Sequence, residues 1–182
     1  MVSRFIYLGI CGLFLAGIIH ICIVLLIPSF GSRDAARQIS QNTEPYKFKR
    51  INATSGISIA NSDPFFKYSV CPFNLTEAAL QVNGENMPDF WSVAVFDEGG
   101  QVIYSLNDRT AINKALRVIV VNSIQMADLR QVQADELETS VVVEAPVQTG
   151  FVLLRALVRD PSLEERGEEF LQKASCSPFS TR

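Results

Sequence analysis

Residues 90–106 read FWSVAVFDEGGQVIYSL, two apolar runs separated by an acidic and glycine-rich turn signal. The first run, Phe90–Phe96, is nearly continuous, as in a strand that is buried on both faces. The second, Val102–Leu106, places apolar side chains at alternate positions, which is the period of a strand. Asp97–Gly100 supplies the residues that tight turns favour. The stretch therefore predicts a β-hairpin, around which the rest of the fold is predicted.

Further runs rich in β-branched residues predict strands on both sides of this hairpin. They are Ala78–Val82, which ends at the turn signal Asn83–Gly84, and then Arg117–Val121, Ser140–Glu144 and Phe151–Val158, the last preceded by a turn signal at Val147–Gly150. Because no long helical pattern separates these strands, the sequence predicts a mainly β fold, an antiparallel β-sandwich or jelly roll.

Two pairs of capping residues predict helices. Asp63 followed by Pro64 predicts a short helical turn over Phe65–Ser69, because Asp is a favoured cap and Pro a favoured first helical residue. The same pattern at Asp160 predicts a C-terminal helix over 161–174, whose glutamates lie toward its amino end, where the helix dipole favours them. The predicted domain is therefore a β-sandwich with a C-terminal helix.

Residues 5–27 form an uncharged and almost wholly apolar segment. At about 1.5 Å per residue this segment is long enough to cross a hydrocarbon core of about 30 Å. A cleaved signal peptide is the alternative, but its apolar core is shorter and ends in a small-residue cleavage site, which Ile27–Phe30 lacks. We therefore expect an amino terminus over 1–4, one transmembrane helix over 5–27, a stalk over 28–62 and the β domain over 63–182.

The cysteines indicate the orientation, because Arg4 on one side and Arg33 and Arg37 on the other give no clear positive-inside bias. Cys71 and Cys176 both lie beyond the apolar segment and outside any metal-ligand spacing. The pair predicts a disulfide in an oxidising compartment, the alternative being two unrelated buried thiols. We expect the amino terminus in the cytoplasm and the domain in the bacterial periplasm, with the chain anchored in the inner membrane.

Composition and charge narrow the range of functions that the chain can have. The 182 residues carry a net charge of -3, which disfavours a nucleic-acid-binding protein. The single histidine, His20, lies in the apolar segment, so the outer domain has no Ser-His-Asp or Cys-His arrangement and no histidine metal ligand. No cofactor-binding motif is present either. The sequence therefore predicts no catalytic, cofactor or metal site and favours a non-catalytic protein.

Four carboxylates near the predicted hairpin offer the one route to catalysis. They are Asp89, Asp97, Glu98 and Asp108. A facing pair of such groups can hydrolyse glycosides. Most of them occupy predicted turns, where Asp is favoured because it hydrogen-bonds to the nearby backbone. The turn interpretation is therefore the favoured one.

Arg155 stands out because it lies in the middle of a predicted strand, on one face with Leu153 and Leu157. If that face is the core, the guanidinium needs a partner, and a structural ion pair with Asp97 or Asp108 is the favoured interpretation. If the face lines a pocket, Arg155 is expected to hold an anionic ligand through its planar fork.

Two other features complete this possible polar cluster. Trp91 is predicted to lie in the core, with stacking against a sugar or a partner chain as the alternative. Asn107, Asp108 and Arg109 form a polar group directly after the hairpin.

Several of these motifs resemble a known bacterial family. Cys71–Leu75 (CPFNL), Phe90–Asp97 (FWSVAVFD), Asn107–Arg109 (NDR) and Phe151–Arg155 (FVLLR) are similar to the paired domains of unknown function 1254 and 1214. The resemblance is to the short membrane-anchored members, which carry one half of the larger two-domain proteins. It implies a periplasmic β-sandwich beside a companion protein that carries the other half, and it implies no established activity.

The sequence thus predicts a single-pass inner-membrane protein whose periplasmic sandwich serves envelope assembly or interaction together with a partner protein. A carbohydrate- or lipid-binding module is the alternative. A carboxylate-dependent hydrolase is the third and least favoured interpretation.

Overall fold

A computed structural model describes residues 2–52, 54–57, 62–85, 87–131, 137 and 139–180, and only the backbone of 28–34. The helices and strands, in chain order, are α1 Val2–Asn42, β1 Lys49–Ile51, β2 Phe66–Asn74, β3 Ala79–Gly84, β4 Trp91–Asp97, β5 Val102–Asn107, β6 Leu116–Val121, α2 Ser123–Leu129, β7 Val141–Glu144, β8 Thr149–Leu157, α3 Glu164–Lys173 and β9 Ser175–Phe179. Short 3₁₀ turns precede β6 at Ile112–Lys114 and α3 at Pro161–Leu163.

The strands form two sheets, so the prediction of a mainly β fold with a C-terminal helix is confirmed. One sheet has five strands in the order β1-β2-β8-β4-β5, and the other has four in the order β7-β6-β3-β9. All pairs are antiparallel except β6 with β7. This parallel pair departs from the predicted antiparallel sandwich. The connection between β6 and β7 contains α2 and returns the chain to the end of the sheet at which β6 began, as parallel strands require.

The core lies between the inner faces of the two sheets, closed on one side by α3. Trp91 is fully buried there, and its ring centroid is 6.3 Å from that of Phe170 on α3. The prediction that Trp91 belongs to the core is therefore confirmed, and its stacking alternative is wrong. A fully buried ring has no face to offer to a sugar or a partner chain.

The predicted hairpin is present as β4 and β5. The Asp97 carboxylate accepts a hydrogen bond of 2.7 Å from the Gln101 backbone N–H, which closes the turn. Gly100 has a φ of 78°, in the left-handed region that glycine adopts without strain. The turn residues thus act as their types predict.

The predicted helical turn over Phe65–Ser69 is wrong, since β2 begins at Phe66. The Asp63 carboxylate still acts locally, because it accepts a hydrogen bond of 2.9 Å from the Phe65 backbone N–H. It caps a single turn, after which the chain pairs along its length with β8. Tertiary pairing has overridden a local helix signal.

One predicted turn, Asn83–Gly84, and the last two residues of another, Val147–Gly150, lie inside strands. Asn83 and Gly84 end β3 and pair with β6 rather than forming a turn. A Cβ at Gly84 would lie 2.8 Å from Phe170 Cε2 and 2.9 Å from Leu116 Cδ2, so glycine here permits close packing. Gly150 lies within β8 and pairs with both neighbouring strands. At both positions the glycine allows neighbouring groups to pack closely against the strand, which is another reason for glycine to occur within strands.

The expected stalk over 28–62 is also wrong, because part of it belongs to the folded domain. Helix α1 continues to Asn42, and Ala36 and Ile39 are buried against the five-stranded sheet. Strand β1 then adds to the edge of that sheet. Arg50 extends from β1 to form a salt bridge with Glu168 on α3.

Tyr46 fixes the connection between α1 and β1. Its backbone N–H donates to the Pro72 carbonyl at 2.9 Å. Its hydroxyl lies 2.5 Å from the carbonyl oxygen of Asn74 and 2.9 Å from that of Ala78. Burial raises the pKa of the Tyr46 phenol. The side chain therefore attaches the start of the domain to the end of β2.

The predicted disulfide between Cys71 and Cys176 is present, with a Cα–Cα distance of 6.6 Å. It joins β2 of the five-stranded sheet to β9 of the four-stranded sheet. Strand β9, which follows the C-terminal helix and pairs with β3, was not predicted. The disulfide thus attaches the end of the chain to the opposite sheet.

The C-terminal helical segment begins at the predicted cap with the 3₁₀ turn Pro161–Leu163, and α3 follows from Glu164. The Asp160 carboxylate accepts a hydrogen bond of 2.8 Å from the Ser162 backbone N–H, which lowers the pKa of this carboxyl group. A lowered pKa means that the cap contributes stability above the unfolded pKa of about 3.8 and loses it as the pH falls through the folded value. The contribution is therefore lost only under acidic conditions.

We expect Asp160→Asn to reduce the acid sensitivity of the fold. Asparagine also caps helices but has no proton to gain, so the variant should lose less stability than the wild type below about pH 4. Thermal unfolding of both proteins between pH 7 and pH 3 measures the difference. Identical pH profiles would contradict the assigned role of Asp160.

Candidate functional site

One feature of the chain points toward a membrane. Residues Val2–Ile27 of α1 form a helix that is long and apolar enough to cross a bilayer, and none of it is buried in the protein. The same helix then continues to Asn42. The sandwich is thus attached to the apolar segment by continuous helix.

A cleft of about 860 Å³ lies where the last turns of α1 meet the ends of β2, β4 and β8. Its lining includes Ile39, Phe73 and Phe151, which are already buried, and the polar residues Arg37 and Asp97. The volume is within the range of about 300 to 1,000 Å³ that small-molecule sites occupy. The cleft is therefore a candidate site for a ligand with both apolar and polar parts.

Three of the four candidate carboxylates have structural partners. Asp97 closes the hairpin turn, and Glu98 accepts a hydrogen bond of 2.9 Å from the Thr149 hydroxyl. Asp89 lies at the surface, 3.5 Å from the Arg166 guanidinium. The geometry agrees with the turn interpretation for Asp97.

Asp97 and Asp108 lie too far apart to act as a pair. Asp97 ends β4, whereas the Asp108 backbone N–H donates to the carbonyl of Trp91 at the start of the same strand. Six steps of about 3.3 Å separate the two ends of β4 by about 20 Å. Paired glycosidase carboxylates are about 5 to 9.5 Å apart.

A second candidate site is the outer face of the five-stranded sheet. Strand register aligns one residue from each strand in a row across this face, in the order Ile51, Tyr68, Arg155, Ser92 and Asn107. Arg155 stands at the centre of the row and is exposed. The face therefore presents a cation in the middle of a sheet.

The predicted ion pair of Arg155 with Asp97 or Asp108 is wrong, because within the described chain Arg155 forms no salt bridge. Its Nε donates to Ser92 Oγ, and its guanidinium carbon lies 5.1 Å from the centroid of the Phe66 ring. Phe66 packs edge-on against Phe90 at 6.1 Å and at a tilt against Tyr68 at 6.3 Å. An aromatic ring and a hydroxyl group hold this arginine in place.

The structure separates the other members of the predicted polar cluster. Trp91 lies inside the core and Asp97 at the far end of the hairpin, while Asn107 shares the outer row with Arg155. The Asn107 side-chain oxygen accepts hydrogen bonds from the backbone N–H groups of Arg109 and Thr110, so it mainly shapes a turn. One carboxylate oxygen of Asp108 is buried without a hydrogen-bond partner.

Three neighbours of Arg155, namely Ser92, Phe66 and Tyr68, were not predicted from the sequence. Phe66 and Tyr68 are two positions apart in sequence, which is the signal of a shared strand face. This signal was outweighed by Asp63 and Pro64, which predict a helix over the same segment. Within the described part of the chain, no three side chains of the metal-binding types lie close enough to hold a metal ion.

Comparison with known proteins identifies chains of similar fold but indicates no activity. No protein-family profile matches the chain, and no curated protein sequence matches it. The VPA0106 protein from Vibrio parahaemolyticus has a similar structure, with a TM-score of 0.60 at 10% identity over 84% of this chain and 36% of that protein. An uncharacterized protein from Burkholderia cenocepacia gives a TM-score of 0.51 at 10% identity over 84% and 40%.

By its fold, the chain is a β-sandwich preceded by an apolar helix. The chain spans well under half the length of the two solved structures that it resembles.

Proposed function

We propose that the chain is a single-pass inner-membrane protein that presents its β-sandwich in the bacterial periplasm. There it acts as a non-catalytic component of envelope assembly, working with a partner protein. A companion that carries the other half of the domain 1254 and 1214 pair is the proposed partner.

The observation that carries this proposal is the packing of α1 on the sandwich. Ala36 and Ile39 are 5% and 3% exposed, and they pack in one buried cluster with Ile57, Val70 and Phe151. A flexible stalk would let the domain rotate freely about its anchor. Here the helix that begins in the apolar segment also covers part of the sheet, which supports a role in holding the sandwich in a defined pose at the membrane surface.

The disulfide supports the proposed orientation. Disulfides such as Cys71–Cys176 persist in oxidising compartments such as the periplasm and are rare in the reducing cytosol. The two cysteines of the apolar segment, Cys11 and Cys22, are free. This distribution favours a sandwich on the periplasmic side.

The proposal predicts a second polypeptide in fixed ratio when the full chain is gently extracted from its own membrane. Native mass spectrometry measures this ratio directly. Protease added to sealed cells whose outer membrane has been removed should digest the sandwich, whereas a protected sandwich would contradict the orientation.

A chain recovered alone would contradict the assembly function. A bound small molecule without a polypeptide would instead favour the carbohydrate- or lipid-binding alternative, for which the cleft of about 860 Å³ is a candidate site.

A further inference from the structure

The outer face of the five-stranded sheet is covered over only part of its area. Ala36, Ile39 and Ile57 cover Val70 and Phe151 at one end. At the other end Phe66, Tyr68, Phe90 and Leu157 remain half-buried, around the exposed Arg155. We name Phe66, Tyr68, Phe90 and Arg155 the Arg155 patch.

Arg155 has hydrogen-bonding capacity left in this patch. Its Nε is occupied by Ser92 Oγ, and the Phe66 ring lies against one side of its guanidinium. Within the described chain the two terminal nitrogens have no hydrogen-bond partner. Because the Arg155 side chain is already held in place, it loses less conformational entropy when a partner binds there.

The composition and shape of the patch favour a protein partner over a small ligand. Aromatic residues and arginine are enriched at the energetic centres of protein interfaces. A strand face is also broad and flat, whereas small ligands bind in concave sites, and the cleft beside α1 lies at the other end of this sheet.

We propose that the Arg155 patch is a docking surface for a partner protein that presents an aspartate or glutamate side chain to Arg155. The carboxylate would accept parallel hydrogen bonds from the two terminal nitrogens, and apolar atoms of the partner would cover Phe66 and Tyr68. This inference rests on the proposed function, since it names the surface through which the sandwich meets its partner.

A photo-crosslinking amino acid at Ser105 tests the proposal in the full chain within its own membrane. Ser105 is exposed and pairs with Ala94 in the row next to that of Arg155, so a cross-linker there samples the same face without removing a patch residue. We expect a cross-link to a partner peptide that contains an acidic residue.

The matched variants are Arg155→Ala, Arg155→Lys and Arg159→Ala. Loss of a charged hydrogen-bonded pair is expected to weaken partner binding by about tenfold to a hundredfold in Arg155→Ala and so to lower the cross-link yield. Arg155→Lys keeps the charge but not the fork, so its yield should be intermediate. Arg159 is exposed outside the patch, and its replacement should leave the yield unchanged. Replacing the partner's acidic residue by arginine should restore the yield with Arg155→Glu.

An unchanged yield in Arg155→Ala would overturn the proposal, and so would a cross-link to lipid or glycan in place of a peptide. Equal thermal midpoints of Arg155→Ala and Arg159→Ala show that the substitution does not act through unfolding. If native mass spectrometry retains a partner but the cross-link yield is unchanged in Arg155→Ala, the docking surface is rejected while the proposed function stands. Absence of any partner would reject the proposed function itself.

Discussion

Replacing both Cys71 and Cys176 by serine is expected to lower the free energy of unfolding by about 5 kcal/mol. The disulfide spans a sequence separation of 105 residues. In the chain-entropy model, a loop of this length restricts the unfolded chain by roughly that amount. The cross-link also holds β9 to the opposite sheet, so its loss should destabilise the end of the chain first.

Thermal and urea unfolding of the full chain in detergent measure this effect. A loss of this size corresponds to a fall of about 10 to 20 °C in the unfolding midpoint for a chain of this length. The matched control replaces Cys11 and Cys22, the free cysteines of the apolar segment, and should leave the midpoint of the sandwich unchanged. A change below about 1 kcal/mol in the Cys71 and Cys176 variant would contradict a stabilising role.

The parts of the fold that local signals determine were predicted well. Alternation and turn chemistry located β4 to β8, but not β9. Asp160 and Pro161 located the start of the C-terminal helical segment. In these places the local preference of the chain and its tertiary pairing agree, which is the condition under which sequence patterns are informative.

The errors share one cause, which is that tertiary contacts decided the outcome. Asp63 and Pro64 signal a helix, yet the following residues pair with β8 over the full length of β2. The expected stalk lacks apolar periodicity, but two of its side chains, Ala36 and Ile39, find buried contacts on the sheet. Nothing in the local sequence states which surface such isolated apolar residues will meet.

The environment of Arg155 shows the same limit at a candidate site. Its position in a strand was predictable from the apolar residues on both sides of it. Its neighbours were not, because they depend on the order β2-β8-β4 and on the register that places Tyr68 and Ser92 beside it. The prediction of an ion pair also assumed a buried face, whereas this residue is exposed.

Gly150→Ala is expected to destabilise the fold by at least about 3 kcal/mol, because no space exists for a side chain at this position near the start of the central strand β8. A Cβ at this position would lie 2.2 Å from the Phe96 carbonyl oxygen and 2.6 Å from Cζ of Phe73. The first of these atoms belongs to the backbone of the adjacent strand β4, so relief would require β4 and β8 to move apart.

Urea unfolding of the full chain measures the loss, with Gly99→Ala as the matched control. Gly99 lies in the hairpin turn, where a Cβ would meet the Asp97 carboxylate, whose nearest oxygen is 3.3 Å away, so its replacement should cost less than about 1 kcal/mol. Adding Phe73→Leu to Gly150→Ala separates the two obstacles. If the carbonyl oxygen dominates, the double variant recovers almost none of the lost stability. Substantial recovery would show that the Phe73 ring, rather than the spacing of the strands, requires glycine at this position.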